Sequence, residues 1–469
     1  MKIGRLACLL AASTVIAATP PAISEDELRA NLSFLASDAL EGRSTPSPGQ
    51  AIAAEFIISR FRLAHLEPAA NGGFCQMAEF GQLTPAEGGT VTVTSRGEKV
   101  KVTGDHFSLR GAEAVNLDRV PMVRVKNGAA LPAGAQGKAL LIEASMPAEQ
   151  RAKLMAAKPA VLVTVFTGER RTHEGARITD LDEAAQHATP RLSLWGDEGR
   201  RALDAEDATL TVHVAAPAMT RIRACNVAGV LPGSDLVLKN EYVLVSAHYD
   251  HLALASAGTD RIFNGANDDG SGTVSMIEIA RALSALPVKP RRSILFMTFT
   301  GEELGLLGSR YYAKHPLVPL ERTVAQLNLE QLGRTNPQEG FAAGALTFTG
   351  FDFTDLPRTF ESVAAAAGVR VFSTKDSDSY FARSDNQPLA DAGVPSSTVA
   401  VAYTFPDYHA VSDEWRKIEF PNMAKVDQAI AAGILAIADR AAPPQWSSDA
   451  RTERYRQAYL RLHPAEPTH

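Results

Sequence analysis

The chain has 469 residues, of which 45% are hydrophobic and 21% are charged, and it contains three cysteines. These proportions are typical of a folded protein with a large buried core, and they exclude wholesale disorder, collagen and a small disulfide scaffold. A formal charge of −6 offers no basic surface for neutralising phosphates, so no nucleic acid partner is expected.

The first 22 residues have the layout of a secretory signal peptide. Lys2 and Arg5 precede a short apolar run, and Ala17 and Ala18 supply small residues for cleavage. The apolar run is too short to span a membrane. We therefore expect a periplasmic or secreted protein whose mature form has no membrane span.

Two cysteines, Cys75 and Cys225, remain after removal of such a signal. In an oxidising compartment they could form a disulfide, or they could stay as two buried thiols. The sequence contains no C-x-x-C pair, which excludes a cysteine-based zinc site.

The stretch from 23 to 64 carries helical signals. Ser24 followed by Glu27 is typical of a capping box, and apolar residues recur after it at the helical period. A second periodic run covers 51–64, and the segment between the runs, 41–50, is rich in Gly, Pro and Ser. This pattern predicts two helices that flank a loop.

Short β-rich runs fill the segment 81–220, among them TVTVTS, VPMVRV, KALLIEA, PAVLVTVF and TLTVHVAA. They indicate a smaller β-rich domain inserted into a larger one. The alternative is that these strands extend the main sheet.

From 221 to 440, apolar strands such as YVLVSAH and RRSILFMTFT alternate with helical runs such as GTVSMIEIARALSAL. This alternation predicts an α/β fold with a mostly parallel central sheet covered by helices on both faces. Residues 23–80 would form the N-terminal part of this domain, and 441–469 a polar C-terminal tail. Functional sites in such folds gather at the carboxyl ends of the strands.

Metal-binding side chains follow the first of these strands. His248 can bind a metal, and Asp250, two residues later, can fix its orientation. His251 is interpreted as a polar loop residue. The next segment, NGANDDGSG, places Asp268 beside Asp269 before a helix, and adjacent carboxylates are costly unless a cation neutralises them.

More such side chains follow later strands. Glu302 and Glu303 come just after one apolar strand, where one acid could bind metal and the other accept a proton. Glu330 follows another strand, and Tyr408 and His409 come after a third segment. Two imidazoles and several carboxylates at one edge suit two zinc ions that share a carboxylate. The candidate ligands are His248, Asp268, Glu303, Glu330 and His409, which leaves Glu302 as the base.

The ordered motifs resemble the co-catalytic di-zinc aminopeptidase family, which includes secreted bacterial leucine aminopeptidases, glutamate carboxypeptidase II and glutaminyl cyclases. The matching segments are LASDALEGR, NVAGVLPGSD, SAHYDH, GANDDGSG, TGEELGLLGS, NLEQLGR and YHAVSDEWRKIEF. The resemblance implies a zinc-exopeptidase fold, two zinc ions, peptide substrates, and removal of N-terminal residues by a metal-activated water. The segment 81–220 is similar to the protease-associated domain of some secreted relatives.

The resemblance also implies a role for each site residue. Five bind zinc, with Asp268 bridging: His248, Asp268, Glu303, Glu330 and His409. Three do other work: Asp250 supports His248, Glu302 is the general base, and Tyr408 helps to hold the oxyanion. The family usually has aspartate where this chain has Glu330, and Asn386 and Leu389 replace a histidine and an aromatic residue near Ser384 and Asp385.

Other functions are compatible with the same motifs. They are a glutaminyl cyclase-like acyltransferase, a di-zinc carboxypeptidase, and an inactive binding ectodomain. Serine hydrolases and nucleotide-dependent enzymes are excluded, because the sequence has neither a G-x-S-x-G elbow nor a phosphate loop. The His-Glu-Gly at His173 lacks the second histidine of H-E-x-x-H.

Overall fold

The computed structural model describes residues 20–166, 177–185, 189–374 and 376–464. Most of the expected signal peptide, and His173, lie outside these residues. In the described part, no helix combines the length and apolar character needed to cross a membrane.

The described strands are, in chain order, β1 (Glu67–Pro68), β2 (Cys75–Thr84), β3 (Thr90–Ser95), β4 (Glu98–Val102), β5 (Phe107–Arg110), β6 (Val115–Arg124), β7 (Ala139–Glu143), β8 (Val161–Val165), β9 (Arg177–Thr179), β10 (Arg191–Leu194), β11 (Thr209–Val214), β12 (Ala218–Leu231), β13 (Tyr242–His248), β14 (Ser293–Phe299), β15 (Thr323–Leu329), β16 (Ala345–Phe348), β17 (Arg370–Phe372) and β18 (Ser396–Ala400).

The described α-helices are α1 (Glu25–Leu35), α2 (Pro48–Leu63), α3 (Ala148–Ala156), α4 (Leu181–Ala185), α5 (Gly196–Asp204), α6 (Gly272–Ser284), α7 (Leu307–Lys314), α8 (Leu356–Ala364), α9 (Asn386–Asp391), α10 (Phe420–Asp439) and α11 (Glu453–Leu462).

The main sheet has a parallel centre and antiparallel flanks. Its order is β17-β16-β18-β15-β13-β14-β12-β2-β9, with β1 beside β12. The neighbouring strands β14, β13, β15 and β18 are parallel, whereas β12 and β2 continue the sheet antiparallel. The carboxyl ends of the four parallel strands therefore meet at one edge.

Helices cover both faces of this sheet, as predicted. Val243 and Val245 of β13 pack with α1, α2, α6, α8 and α10 on one face. Leu244, between them, points to the opposite face and joins Tyr312 of α7 and Leu389 of α9. Alternate side chains of a strand point to opposite faces, so a nearly continuous apolar strand is buried on both sides. The α/β class is confirmed.

A second sheet forms from residues between 90 and 214, in the order β4-β3-β11-β6-β7-β8-β10-β5. It has its own apolar cluster, which includes Val91, Leu141, Val163, Leu192 and Leu210. These strands fall in the stretch expected to be an inserted β-rich domain, whose likeness to a protease-associated domain stays a prediction.

Both N-terminal helices form, with one boundary moved. The Ser24 hydroxyl accepts a hydrogen bond from the Glu27 amide and caps α1. Helix α2 begins at Pro48 rather than at 51, because Ser47 caps it and proline is favoured in a first helical turn.

The sulfurs of Cys75 and Cys225 form a disulfide, which decides between the two alternatives for these residues. Cys75 opens β2 and Cys225 lies in the neighbouring strand β12. The bond joins residues 150 positions apart in sequence, and this closed loop contains the whole second sheet.

Replacing both cysteines by serine should lower the free energy of unfolding by about 2–5 kcal/mol, because a long closed loop restricts the unfolded chain. Guanidinium denaturation of wild-type and Cys75→Ser/Cys225→Ser protein measures this difference. Reduced wild-type protein is the control and should lose a similar amount. Equal unfolding midpoints for oxidised wild type and the double variant would contradict the expectation.

Candidate metal centre

The loops that follow β13, β14, β15 and β18 enclose a pocket at the carboxyl edge of the sheet. Seven of the eight predicted site residues line it: His248, Asp268, Glu302, Glu303, Glu330, Tyr408 and His409. Asp250, the eighth, is fully buried behind the pocket. The sheet therefore brings together side chains that are scattered along the sequence.

Asp268 lies between the two imidazoles. Its Oδ1 is 3.3 Å from Nε2 of His248, and its Oδ2 is 3.1 Å from Nε2 of His409. Each carboxylate oxygen thus faces a different ring nitrogen, an arrangement suited to a carboxylate shared by two cations.

Each imidazole has a second carboxylate nearby. Oε2 of Glu303 is 3.3 Å from Nε2 of His409, and Oε1 of Glu330 is 3.9 Å from Nε2 of His248. The Ser384 hydroxyl donates to the same Glu330 oxygen and accepts from the Asn328 amide at 2.8 Å. Ser384 therefore fixes the longer side chain that stands in place of the usual aspartate.

These separations match a zinc site. Tetrahedral zinc with nitrogen and oxygen ligands at 2.0–2.1 Å places its ligand atoms about 3.3 Å apart. The contacts of Asp268 and Glu303 with the imidazoles measure 3.1 to 3.3 Å. The donor set of imidazole nitrogen and carboxylate oxygen is also one that zinc accepts.

Asp269 organises the backbone around the pocket. Its carboxylate accepts hydrogen bonds from the amides of His248, Gly272 and Gln331 at 3.0 to 3.2 Å. A Cβ at Gly272 would lie 2.4 Å from an Asp269 oxygen, so only glycine allows this approach. The two adjacent acids thus divide the work, and Asp268 is the one that faces the pocket.

Asp413 and Arg43 bind backbone groups of the loops after β13 and before α6. The Asp413 carboxylate accepts from the amides of Asn267 and Asp268. The buried Arg43 guanidinium donates to the carbonyls of Tyr249 at 2.8 Å and Gly265 at 3.0 Å. The spacing of the sequence motifs gives no sign of these backbone contacts.

Asp250 contacts both His248 and the Glu302 segment. The His248 Nδ1 lies 3.1 Å from the Asp250 backbone carbonyl and 3.8 Å from its carboxylate. That carboxylate accepts from the Glu302 amide at 3.2 Å. The group of Asp250 that lies at hydrogen-bond distance from His248 is its backbone carbonyl. The Asp250 side chain fixes the loop that carries Glu302.

Burial and repulsion govern the pKa values of the pocket acids. Burial, together with the nearby Glu330 and Glu303, raises the pKa of Glu302 well above its ordinary value. Burial also raises the pKa of Glu330, to about 7. Burial would raise the pKa of Glu303 too, but His251 and His409 bring it to about 2. So many buried acids in one pocket favour a bound cation.

Tyr408 lies beside the acids at the pocket wall. Its ring stacks on the His409 ring with centroids 4.0 Å apart. An Nη of Arg383 donates to its hydroxyl at 3.5 Å, and the guanidinium lies 5.0 Å from the Tyr380 ring centroid. Tyr408 thus lines the same pocket as Glu302, His248 and His409.

The structure places three further residues around the pocket. His251 lies in the loop after β13, as expected of a polar loop residue, but its ring is buried, and Nδ1 lies 2.7 Å from Oε1 of Glu303. Leu389 is buried in an apolar cluster and does not line the pocket. Asn386 donates to the Phe381 carbonyl and accepts from Thr398, so it supports the wall behind the site.

Comparisons with known proteins agree with this site. The profile of peptidase family M28 matches residues 226–434. Leupeptin-inactivating enzyme 1 of Streptomyces exfoliatus is 28% identical over 185 residues, which are 39% of this chain and 37% of that protein. The alignment thus spans well under half of that relative.

Two solved structures share the fold. An aminopeptidase from Aneurinibacillus sp. strain AM-1 aligns with a TM-score of 0.61 at 20% identity, over 90% of this chain and 95% of that one. A zinc aminopeptidase from Bacillus subtilis aligns with a TM-score of 0.57 at 21% identity, over 90% and 97% of the two chains. The profile match covers every predicted ligand, and this similarity to peptidase family M28 confirms the family resemblance of the sequence motifs.

Proposed function

We propose that this protein is a zinc-dependent aminopeptidase that hydrolyses N-terminal residues from peptides at a two-zinc centre. The observation that carries the proposal is the position of Asp268, whose two oxygens face two different imidazoles at 3.3 and 3.1 Å. The names of the relatives, which include aminopeptidases and a zinc aminopeptidase, support the reaction and the metal.

The five ligands divide into two groups that share Asp268. His248 and Glu330 face its Oδ1 side, and Glu303 and His409 face its Oδ2 side. Bound zinc would lower the pKa of a water and polarise the scissile carbonyl. The protein contributes the fixed positions of the ligands, which Ser384 and the loop contacts maintain.

Glu302 is the proton acceptor in this proposal. Its carboxylate lines the pocket 3.9 Å from Nε2 of His248, beside the shared Asp268. A carboxylate there can take a proton from the attacking water and return it to the leaving amine. Burial raises its pKa, so this carboxylate binds a proton more strongly than an exposed one does.

Tyr408 is proposed to donate a hydrogen bond to the oxyanion. Because Arg383 donates to the tyrosine oxygen, the hydroxyl hydrogen is left for another acceptor. A hydrogen-bond donor that already points at the developing negative charge lowers the activation barrier, because no group has to reorganise during the reaction.

Export to the periplasm or the medium belongs to the same proposal. The disulfide between Cys75 and Cys225 supports an oxidising compartment, where such bonds persist. The basic and apolar N-terminal run supports it independently.

Purified protein should hydrolyse leucine-p-nitroanilide, lose this activity to a chelator, and recover it with added zinc. N-acetylated leucine-p-nitroanilide is the matched control and should be resistant, because the proposal requires a free amine. Absence of chelator-sensitive hydrolysis across aminoacyl nitroanilides and peptides would overturn the proposal. Cleavage of N-blocked peptides at a free carboxyl end would instead indicate a carboxypeptidase. Conversion of an N-terminal glutamine to pyroglutamate on the intact peptide, with release of ammonia, would indicate a cyclase.

A further inference from the structure

His251 is a buried imidazole at the site to which the proposed mechanism gives no task. It lies in the loop after β13, three residues beyond His248 at the end of that strand, and is 1% exposed. Within the described residues, neither ring nitrogen of His251 has an aligned hydrogen-bond partner. Oε1 of Glu303 also lacks one. These two unsatisfied groups lie 2.7 Å apart.

The two oxygens of Glu303 face different rings. Oε2 is 3.3 Å from Nε2 of His409, whereas Oε1 is 2.7 Å from Nδ1 of His251. The longer separation fits two ligands of one tetrahedral zinc, which lie about 3.3 Å apart. The shorter one fits a charge-assisted hydrogen bond, about 2.7–2.9 Å. His251 thus contacts the Glu303 oxygen that faces away from His409, and we interpret it as a partner of this ligand.

Packing holds the His251 ring in this position. A Cβ on Gly265 would lie 2.5 Å from its Cγ, so the ring rests directly on the glycine backbone. The His409 ring meets it edge to face, with centroids 5.6 Å apart and planes at 76°. A ring held on two sides can fix the direction of the carboxylate that it touches.

We infer that His251 is a positioning residue for Glu303: its Nδ1–H holds Oε1, which directs Oε2 to the zinc shared with His409. This inference rests on the proposed two-zinc function. It predicts that loss of the imidazole weakens zinc binding on the Glu303 and His409 side only, since partners of metal ligands contribute about 10–100-fold to affinity.

The test compares three substitutions. His251→Leu removes the donor. His251→Asn keeps an amide nitrogen near the position of Nδ1, and His251→Gln moves it one bond further, as a polar control of similar bulk. Each folded protein is dialysed against a series of chelator-buffered free zinc concentrations, and bound zinc is counted by elemental analysis. The melting temperature of the zinc-free proteins reports on folding.

Wild-type protein should bind two equivalents. His251→Leu and His251→Gln should keep one equivalent at the wild-type free zinc concentration and need about 10–100-fold more for the second. His251→Asn should restore most of that affinity. Unchanged binding of both equivalents in folded His251→Leu or His251→Gln, or no recovery in His251→Asn, would overturn the inference and leave the proposed function intact. Fewer than two equivalents in active wild-type protein would overturn the two-zinc proposal itself.

Discussion

Glu302→Gln should reduce kcat by about 10²–10⁴-fold while the protein still binds two equivalents of zinc. Glutamine preserves the size of the side chain but cannot accept the proton, and general base catalysis is worth about that factor. The substitution leaves all five proposed ligands unchanged, including Asp268, which faces both imidazoles. The protein should therefore keep its zinc.

Steady-state hydrolysis of leucine-p-nitroanilide and elemental analysis of the same samples measure both parts of this expectation. Glu302→Asp is the matched control, because it keeps a carboxylate and moves it back by one methylene. It should retain more activity than Glu302→Gln. Near-wild-type turnover by Glu302→Gln would place the base elsewhere, and loss of zinc from it would make Glu302 a ligand.

Asp268→Ala should remove both equivalents of zinc and lower activity by at least about a thousandfold, since metal stabilisation of the transition state is worth several kcal/mol. The reason is geometric: one carboxylate faces both His248 and His409. A ligand that served a single zinc would remove one equivalent only.

His409→Ala supplies that contrast. This imidazole contacts Asp268 and Glu303, on one side of the shared carboxylate. The His409→Ala protein should keep one equivalent of zinc, bound on the His248 side. If Asp268→Ala and His409→Ala lose the same single equivalent, Asp268 does not bridge.

The fold, and those site residues that directly follow an apolar strand, could be predicted from the sequence. The apolar run of β13 ends at His248, and the position of this residue at a strand end was readable from the sequence. The parallel order of β14, β13, β15 and β18 then places such strand ends side by side. The choice of Asp268 over Asp269 came from the family motif, and the backbone contacts of Asp269 now give it a physical reason.

His251 and Arg43 show what local pattern could not predict. Each acts on groups from distant segments: His251 touches Glu303, and Arg43 donates to carbonyls of the loops that carry Asp250 and Asp268. A histidine in a polar loop or an arginine after a helix looks like a surface residue until the chain folds. Ser384 was placed near the site, but its hydrogen bond to Glu330 depends on how β15 and α9 pack.

The proposed function places two zinc ions on either side of Asp268. A crystal structure of zinc-loaded protein, with anomalous data collected on both sides of the zinc absorption edge, tests it most directly. Two peaks are expected in this pocket, one bound by His248 and Glu330, the other by Glu303 and His409, with Asp268 between them. A single peak, or peaks that do not touch Asp268, would contradict it.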